Sequence, residues 1–106
     1  MSWQIELYEG VEAQILAMPP KIQARVIHLL ELMEKHGAHL GSPHTEPMGE
    51  GLFELRGKAL EGIGRAFFCY QKGQHIIVLH TMVKKSQKTP KKDLKIARKR
   101  MQEVQQ

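Results

Sequence analysis

The sequence of 106 residues lacks most of the features that identify a function at sight. Its single cysteine excludes an internal disulfide and a zinc site built on several thiolates. Cys69 lies in the apolar stretch AFFCY, where we expect a small buried hydrophobic residue. No apolar run approaches the roughly 20 residues of a membrane helix, and the first ten residues lack the pattern of a secretion signal. The expected location is therefore the cytoplasm, with no membrane contact.

Known motifs for cofactors and catalysis are also missing. The chain has no P-loop, no Rossmann glycine turn and no Cys and His pair with the spacing of a nucleophile and its base. Its six histidines repeat no known spacing of metal ligands. We therefore expect no cofactor and no metal site.

Acidic residues are scarce in the last part of the chain. From Lys84 to Gln106, nine Lys and Arg residues stand against two acids, so this segment is formally +7, whereas Met1 to Val83 is formally −2. A compact block of cations favours a polyanion, because each neutralised phosphate releases condensed counterions. RNA or DNA is therefore the expected partner class. The alternative is a solvated helix face that only keeps the protein soluble.

The hydrophobic pattern predicts a single α+β domain over residues 1–106, with helices packed on a small, mainly antiparallel sheet. Alternating apolar residues predict strands, and apolar residues three and four positions apart predict helices. The predicted order is strand, two helices, three strands and a terminal helix. The elements are a strand at Trp3–Tyr8, helices at Gly10–Met18 and from Pro20 to a C-cap at Gly37, strands at Leu52–Lys58, Ile63–Tyr70 and His75–Val83, and a helix from Thr89 to Val104.

Local signals add three details to this outline. The segment Ala38–Gly51 is dense in Gly and Pro, which predicts a connecting loop. Thr89 and Pro90 are typical of the N-cap and the first position of a helix. In the second helix, Ile27 is expected to widen the buried apolar stripe.

Cations stand where the predicted strands end or run through the sheet. Arg56 closes one strand, Arg65 interrupts an apolar strand, and Lys84 with Lys85 ends the last one. Antiparallel pairing would bring them to one side of the sheet. Because a guanidinium in so apolar a strand is costly to bury, Arg65 either pairs with Glu54 on the neighbouring strand or opens onto a polar groove.

Alternation along the last strand assigns its side chains to two faces. His80, Met82 and Lys84 are expected on one face, and Leu79 and Thr81 on the other.

The chain resembles the RelE/HigB superfamily of bacterial toxins, and more narrowly its phage-associated HigB-type branch. The resemblance rests on the strand ending Leu55-Arg56, on Arg65 in a Gly-Arg-aromatic strand, and on the run VLHTMVKKSQKTP at positions 78–90. It covers essentially the full chain, although the amino-terminal helices match only in order and length. It implies a RelE-like fold.

The resemblance also implies an activity. Members of the family are toxins of type II toxin-antitoxin pairs, endoribonucleases that enter the ribosomal A site and cut the messenger there. The implied chemistry needs no metal, because a ribose 2′-hydroxyl attacks the adjacent phosphate and leaves a 2′,3′-cyclic phosphate and a free 5′-hydroxyl. The implied partners are the ribosome with its messenger and a cognate antitoxin, usually of the helix-turn-helix HigA type, with DNA bound only through the antitoxin complex.

Residue by residue, the resemblance implies the following roles. Arg65 matches the sheet arginine that contacts the scissile phosphate, and Lys85 matches a basic residue that stabilises the leaving group or the phosphate. Arg56 and Lys84 match flanking cations. Seven further cations are expected to bind RNA or the ribosome: Lys58, Lys88, Lys91, Lys92, Lys95, Arg98 and Lys99.

Two positions depart from the family pattern. The last helix starts Thr89-Pro90-Lys91 where the best-studied members have a tyrosine, and Glu54 occupies a lysine position. Glu54 and His80 are then the candidates for the general base. Each has an alternative role, Glu54 as the partner of Arg65 and His80 as a hydrogen-bonded sheet residue. The alternative function is that of a non-catalytic, basic nucleic-acid-binding module or a corepressor that acts with its antitoxin.

Overall fold

In the described part of the chain, five strands form one sheet, and three helices pack on its two faces. The computed structural model describes residues 3–37, 40–41, 43–71, 73–85 and 88–105. The elements are β1 Gln4–Leu7, α1 Val11–Leu16, α2 Pro20–His36, β2 Thr45–Gly49, β3 Leu52–Ala59, β4 Gly62–Gln71, β5 His75–Lys84 and α3 Lys91–Val104. The predicted α+β class is confirmed, and so are the predicted helices and the four predicted strands.

The strand order is β1-β5-β4-β3-β2. Strands β2 to β5 form an antiparallel meander, whereas β1 runs parallel to β5. Parallel strands need a long connection, and the chain between β1 and β5 contains α1, α2 and the other three strands. An antiparallel hairpin, by contrast, can be closed by a two-residue turn. The centre of the sheet is β4, whose nearly continuous apolar sequence suits a strand covered on both faces.

One strand was missed by the sequence pattern. Within the segment Ala38–Gly51, predicted to be a loop, Thr45–Gly49 forms β2 and pairs with β3, while residues 38, 39 and 42 lie outside the described part. Pro47 lacks a backbone N–H, which excludes it from a central strand but not from an edge strand. The loop prediction is wrong for β2 because this strand is the edge of the sheet and its register shifts between Pro47 and Gly49.

Each sheet face carries its own core. One face packs against α1 and α2 through Val11, Ile15, Ile22 and Val26, among others, and the other packs against α3 through Ala97 and Met101. Gly64 makes the close approach of α2 possible. A Cβ at Gly64 would lie 2.6 Å from Ile22 Cγ2 and 2.8 Å from Val26 Cγ2.

The helices differ from the sequence prediction in two respects, the exposure of Ile27 and the N-cap of α3. The predicted C-cap Gly37 is confirmed, with a φ of 83° that favours glycine. Ile27 is 39% exposed and lies outside the buried stripe, so the prediction that Ile27 widens this stripe is wrong. The N-cap of α3 is Pro90 rather than Thr89, and the Thr89 side chain turns to the sheet instead of to the helix.

A bulge in β5 changes which side chains face α3. Phe67 pairs with His80 and Phe68 pairs with Val78, so Leu79 is the extra residue. Both Leu79 and His80 then lie on the α3 side, where Leu79 joins the core and His80 contacts Asp93 of α3. The expectation that Leu79 and His80 occupy opposite faces is wrong, because the bulge interrupts the alternation.

The thiol of Cys69 generates a prediction about reactivity. Its side chain is fully buried, and burial raises the pKa of the thiol to about 11. Because the thiolate is the reactive form, about one thiol in a thousand is ionised at pH 8. We expect iodoacetamide to label Cys69 slowly in the native protein and rapidly in guanidinium chloride, as measured by mass spectrometry. Equal labelling rates in the two conditions would contradict the burial.

Candidate nucleic-acid interface

Cross-strand pairing places the predicted site residues in three rows on the sheet face that carries α3. The rows are Glu54–Phe67–His80, Arg56–Arg65–Met82 and Lys58–Ile63–Lys84. Directly paired residues point to the same face of a sheet, and adjacent strands are about 4.8 Å apart. The structure therefore brings the cations of β3, β4 and β5 to one side, as the sequence predicted.

The outermost row carries the exposed charge. Lys58 and Lys84 are exposed on either side of Ile63, which is buried. Lys85 is also exposed. The first part of its side chain lies beside the β3–β4 turn, since a Cβ at Gly62 would be 3.6 Å from Lys85 Cγ. Three lysines thus define a cationic edge of the sheet face, which we call the lysine row: Lys58, Lys84 and Lys85.

The middle row contains the buried Arg65. Its side chain has no exposed surface, its Nη1 donates to Thr89 Oγ1 at 3.0 Å, and the same nitrogen is 3.7 Å from Glu54 Oε2. Burial lowers the pKa of the Arg65 guanidinium, Arg56 adds to the lowering, and Glu54 opposes it. The predicted ion pair with Glu54 is confirmed. Because the Arg65 side chain is fully buried, the contact between Arg65 and a scissile phosphate stays a prediction.

Glu54 is the centre of this buried network. Its side chain is fully buried, and its oxygens accept hydrogen bonds from Arg56 Nε and from the Thr89 hydroxyl, the latter at 2.7 Å. Arg56 is partly exposed and also lies 4.0 Å from Glu46. Glu54 therefore pairs with both guanidinium groups, and Glu46 adds a longer contact to Arg56. This geometry supports the structural role of Glu54 and leaves its oxygens already engaged, which is unfavourable for a general base.

His80 is held by polar groups on both sides of its ring. Its Nε2 lies 2.7 Å from Asp93 Oδ1, and its Nδ1 lies 3.4 Å from Gln14 Nε2. Gln14 Oε1 accepts from the backbone N–H and the hydroxyl of Thr81, so the Gln14 amide nitrogen faces His80 as a donor. Nδ1 is then the acceptor, and the proton lies on Nε2 towards Asp93. The alternative role of His80 as a hydrogen-bonded sheet residue is confirmed.

The outer surface of α3 carries the exposed lysines Lys91, Lys92, Lys95 and Lys99, and the exposed Lys88 lies just before the helix. The two acids of this segment are engaged elsewhere, Asp93 by His80 and Glu103 by the Tyr8 hydroxyl at 2.5 Å. Like charges four residues apart destabilise a helix. This arrangement therefore favours a surface for a polyanion over a surface that serves solubility alone.

Arg98, unlike the lysines of α3, is held by hydrogen bonds to the protein backbone. Its guanidinium donates to the carbonyl of Met48 at 2.7 Å and to that of Gly49 at 3.3 Å, which fastens α3 to the end of β2. Arg100 has a similar role, because it donates to the Leu79 carbonyl at 2.7 Å and lies over the Tyr8 ring. Both arginines stabilise the position of α3, so the predicted RNA contact of Arg98 has the weakest geometric support.

Three residues of the site escaped sequence reasoning: Thr89, Asp93 and Gln14. Thr89 was interpreted as a helix cap, although its hydroxyl bridges Glu54 and Arg65. Asp93 carries a signal in hindsight, because it is the single acid in the first turn of a basic helix. Gln14 has no local signal, since its contacts depend on how α1 packs beside β5.

No helix in the described ranges combines the length and the apolar run needed to cross a membrane. Among those same residues, no group of three or more His, Cys, Asp and Glu side chains could hold a metal ion.

The buried network predicts a large effect of removing the Glu54 charge. Glu54→Gln leaves Arg56 and Arg65 facing a neutral amide, so we expect the free energy of unfolding to fall by about 3 kcal/mol. Glu46→Gln is the matched control. Its carboxylate is partly exposed and 4.0 Å from Arg56, so we expect a change of about 0.5 kcal/mol or less. Urea unfolding measures both, and equal effects would refute the central role of Glu54.

The fold and the family can be compared with known proteins. The chain resembles the toxin-antitoxin complex RelBE2 from Mycobacterium tuberculosis, with a TM-score of 0.59 and 12% identity over 79% of this chain and 100% of that one. It also resembles the archaeal RelE-RelB complex from Pyrococcus horikoshii OT3, with a TM-score of 0.58 and 14% identity over 78% of this chain and 96% of that one. These likenesses establish a RelE-like fold. Curated protein sequences contain no significant match.

Sequence comparison supplies the family. Residues 13–102 match the family described as "Phage derived protein Gp49-like (DUF891)". The matched region includes α2, the antiparallel meander and nearly all of α3. The chain therefore belongs to the phage-derived Gp49-like family and has the fold of the RelE toxins.

Proposed function

We propose that the protein is the toxin of a type II toxin-antitoxin pair and cuts messenger RNA on the ribosome. The observation that carries this proposal is the lysine row on the α3 side of a RelE-like sheet, together with the exposed lysines of α3. Lysines neutralise phosphates without reading base sequence, which suits a protein that binds ribosomal and messenger RNA together.

The proposed reaction is attack by a ribose 2′-hydroxyl on the adjacent phosphate. The bond from phosphorus to the 5′-oxygen breaks, the 2′-hydroxyl loses its proton, and the leaving 5′-oxygen gains one. Lys84 and Lys85 stabilise the negative charge that develops on the phosphate, and Lys58 and Arg56 orient the flanking nucleotides. Lys85 is the proposed source of the proton for the leaving oxygen. No metal takes part in this scheme.

The buried residues have indirect roles in this proposal. Arg65 contributes positive potential from beneath the surface, and direct contact with the phosphate requires its buried guanidinium to become accessible. Glu54 holds Arg56 and Arg65 in place. His80 fixes the start of α3 through Asp93. Proton removal from the 2′-hydroxyl then falls to water or to a ribosomal group, with charge stabilisation supplying most of the rate enhancement.

The partners follow from the same proposal. Both matched structures are complexes of a toxin with an antitoxin. A cognate antitoxin is therefore the proposed protein partner, with a helix-turn-helix fold of the HigA type, and it makes the contact with DNA. The proposed site of action is the cytoplasm.

A second function is favoured by one observation. Glu54 and His80 are both engaged in structural contacts, and Arg65 is buried. A protein with these features can grip RNA without cleaving it, as a binding module or a corepressor. Primer extension on messengers from induced cells distinguishes the two functions, because cleavage produces new 5′ ends within codons and binding alone produces none.

The lysine row supplies the test of the proposed toxin. Lys84→Ala/Lys85→Ala is expected to abolish growth arrest on induction and to lower messenger cleavage by about 100-fold, since charge stabilisation at the phosphate is lost. Both side chains are exposed, so the thermal midpoint should change by no more than about 2 °C. Arg65→Ala is less suitable, because removing one member of a buried ion pair costs about 3–5 kcal/mol.

The matched control is Lys21→Ala/Lys35→Ala, which removes two exposed lysines from α2 on the opposite sheet face. This variant should arrest growth as the unmodified protein does. If the Lys84/Lys85 variant is folded and still cuts messenger RNA at full rate, the assignment of the lysine row is wrong.

The α3 lysines predict a change in salt dependence. Lys91→Gln/Lys95→Gln/Lys99→Gln removes three candidate phosphate contacts, so the slope of log Kobs against log salt for ribosome binding should become less steep by about 2. Fluorescence titration at several potassium chloride concentrations measures the slope. The corresponding Lys→Arg triple variant keeps the charge and should keep the slope. An unchanged slope in the Gln variant would exclude α3 from the interface.

A further inference from the structure

Leu60 is the most exposed large apolar side chain in the described part of the chain. It is 93% exposed, compared with 62% for Leu16, the next in order. Apolar surface left in water forgoes the stabilisation that burial provides. A single exposed leucine is ordinary on a protein surface, so its position and neighbours decide whether it has a role.

The position of Leu60 is a tight turn that does not require a leucine. Leu60 and Glu61 connect β3 to β4, and the pair Ala59–Gly62 closes the turn. Turns of this length favour Gly, Asn and Asp. The unusual backbone conformation falls on Gly62, with a φ of 146°, and not on Leu60. Neither packing nor turn geometry accounts for an apolar side chain here.

The neighbours of Leu60 are the cations of the lysine row. Lys58 precedes it by two residues on β3, and Lys84 lies in the same cross-strand row as Lys58. Lys85 Cγ is near Gly62, at the other end of the turn. The adjacent acid is Glu61, which is exposed. An apolar tip thus projects from the cationic edge at which the proposed function places RNA.

The turn presents Leu60 on a rigid support. The β3–β4 register runs without a shift from Phe53–Phe68 to Ala59–Gly62. An apolar side chain held in this way can enter a gap between bases with little loss of conformational freedom on binding.

We infer that Leu60 is an apolar wedge that packs against an unstacked base of the RNA whose phosphates the lysine row holds. The inference rests on the proposed function and adds the state of the nucleic acid that the site accepts. Bases have apolar faces, and leucine is among the side chains that proteins insert between base steps. Because leucine has no hydrogen-bonding group, Leu60 selects an open, single-stranded step rather than a particular base.

The test uses a short messenger with 2-aminopurine in the A-site codon, measured free and on programmed ribosomes. The fluorescence of 2-aminopurine increases when the base is unstacked. Leu60→Ala is expected to remove the fluorescence increase and to weaken binding about ten-fold, with an unchanged thermal midpoint. Leu16→Ala, which shortens the other highly exposed leucine, is the control and should behave as the unmodified protein does.

The outcomes separate this inference from the proposed function. If Leu60→Ala binds and raises fluorescence as the unmodified protein does, the wedge is refuted and the proposed toxin stands. If the unmodified protein binds neither the messenger nor the ribosome, the Leu60 wedge and the proposed toxin function are both refuted. A third arm uses vesicles of phosphatidylcholine and phosphatidylserine. If the protein sediments with the vesicles and Leu60→Ala does not, Leu60 serves a membrane surface and the inference is overturned.

Discussion

The buried carboxylate of Glu54 connects the parts of the structure on which the candidate site depends. It lies on β3, balances Arg65 of β4, engages Arg56 beside it, and accepts a hydrogen bond from Thr89 just before α3. Two guanidinium groups so close together repel one another in the absence of an anion between them. The position of the basic segment over the sheet is therefore coupled to one ionised group in the interior.

The cations on the sheet face that carries α3 divide into two sets with different roles. Arg65, Arg98 and Arg100 are directed to protein acceptors and fix β4 or α3 in place. The exposed set consists of lysines on the sheet edge and on α3, which present charge to solvent. Arginine suits the first role, because its planar guanidinium can hold several acceptors in fixed geometry, and lysine suits the second as a mobile point charge. Net charge alone does not reveal this division.

The elements with strong periodicity could be predicted from the sequence, and so could the pairing of Arg65 with Glu54, because an isolated guanidinium is too costly to bury. Details set by tertiary contacts could not. The edge strand β2 contains a proline that resembles loop sequence, and the bulge at Leu79 adds a residue that strict alternation cannot indicate. Thr89 matches a helix cap locally, yet the buried pair beneath it competes successfully for its hydroxyl. The link between His80 and Asp93 depends on the direction in which α3 crosses the sheet.

The parallel pairing of β1 with β5 has a consequence for the order of folding. Gln4 to Leu7 find their sheet partners at His75 to Val78, about 70 residues further along the chain. Closing so long a loop carries an entropic penalty that the local hairpins do not incur. The antiparallel hairpins can therefore assemble first. Although β1 precedes the other strands in the sequence, it pairs last. Because β1 lies at the edge of the sheet and pairs with β5, it stays unpaired until β5 has formed.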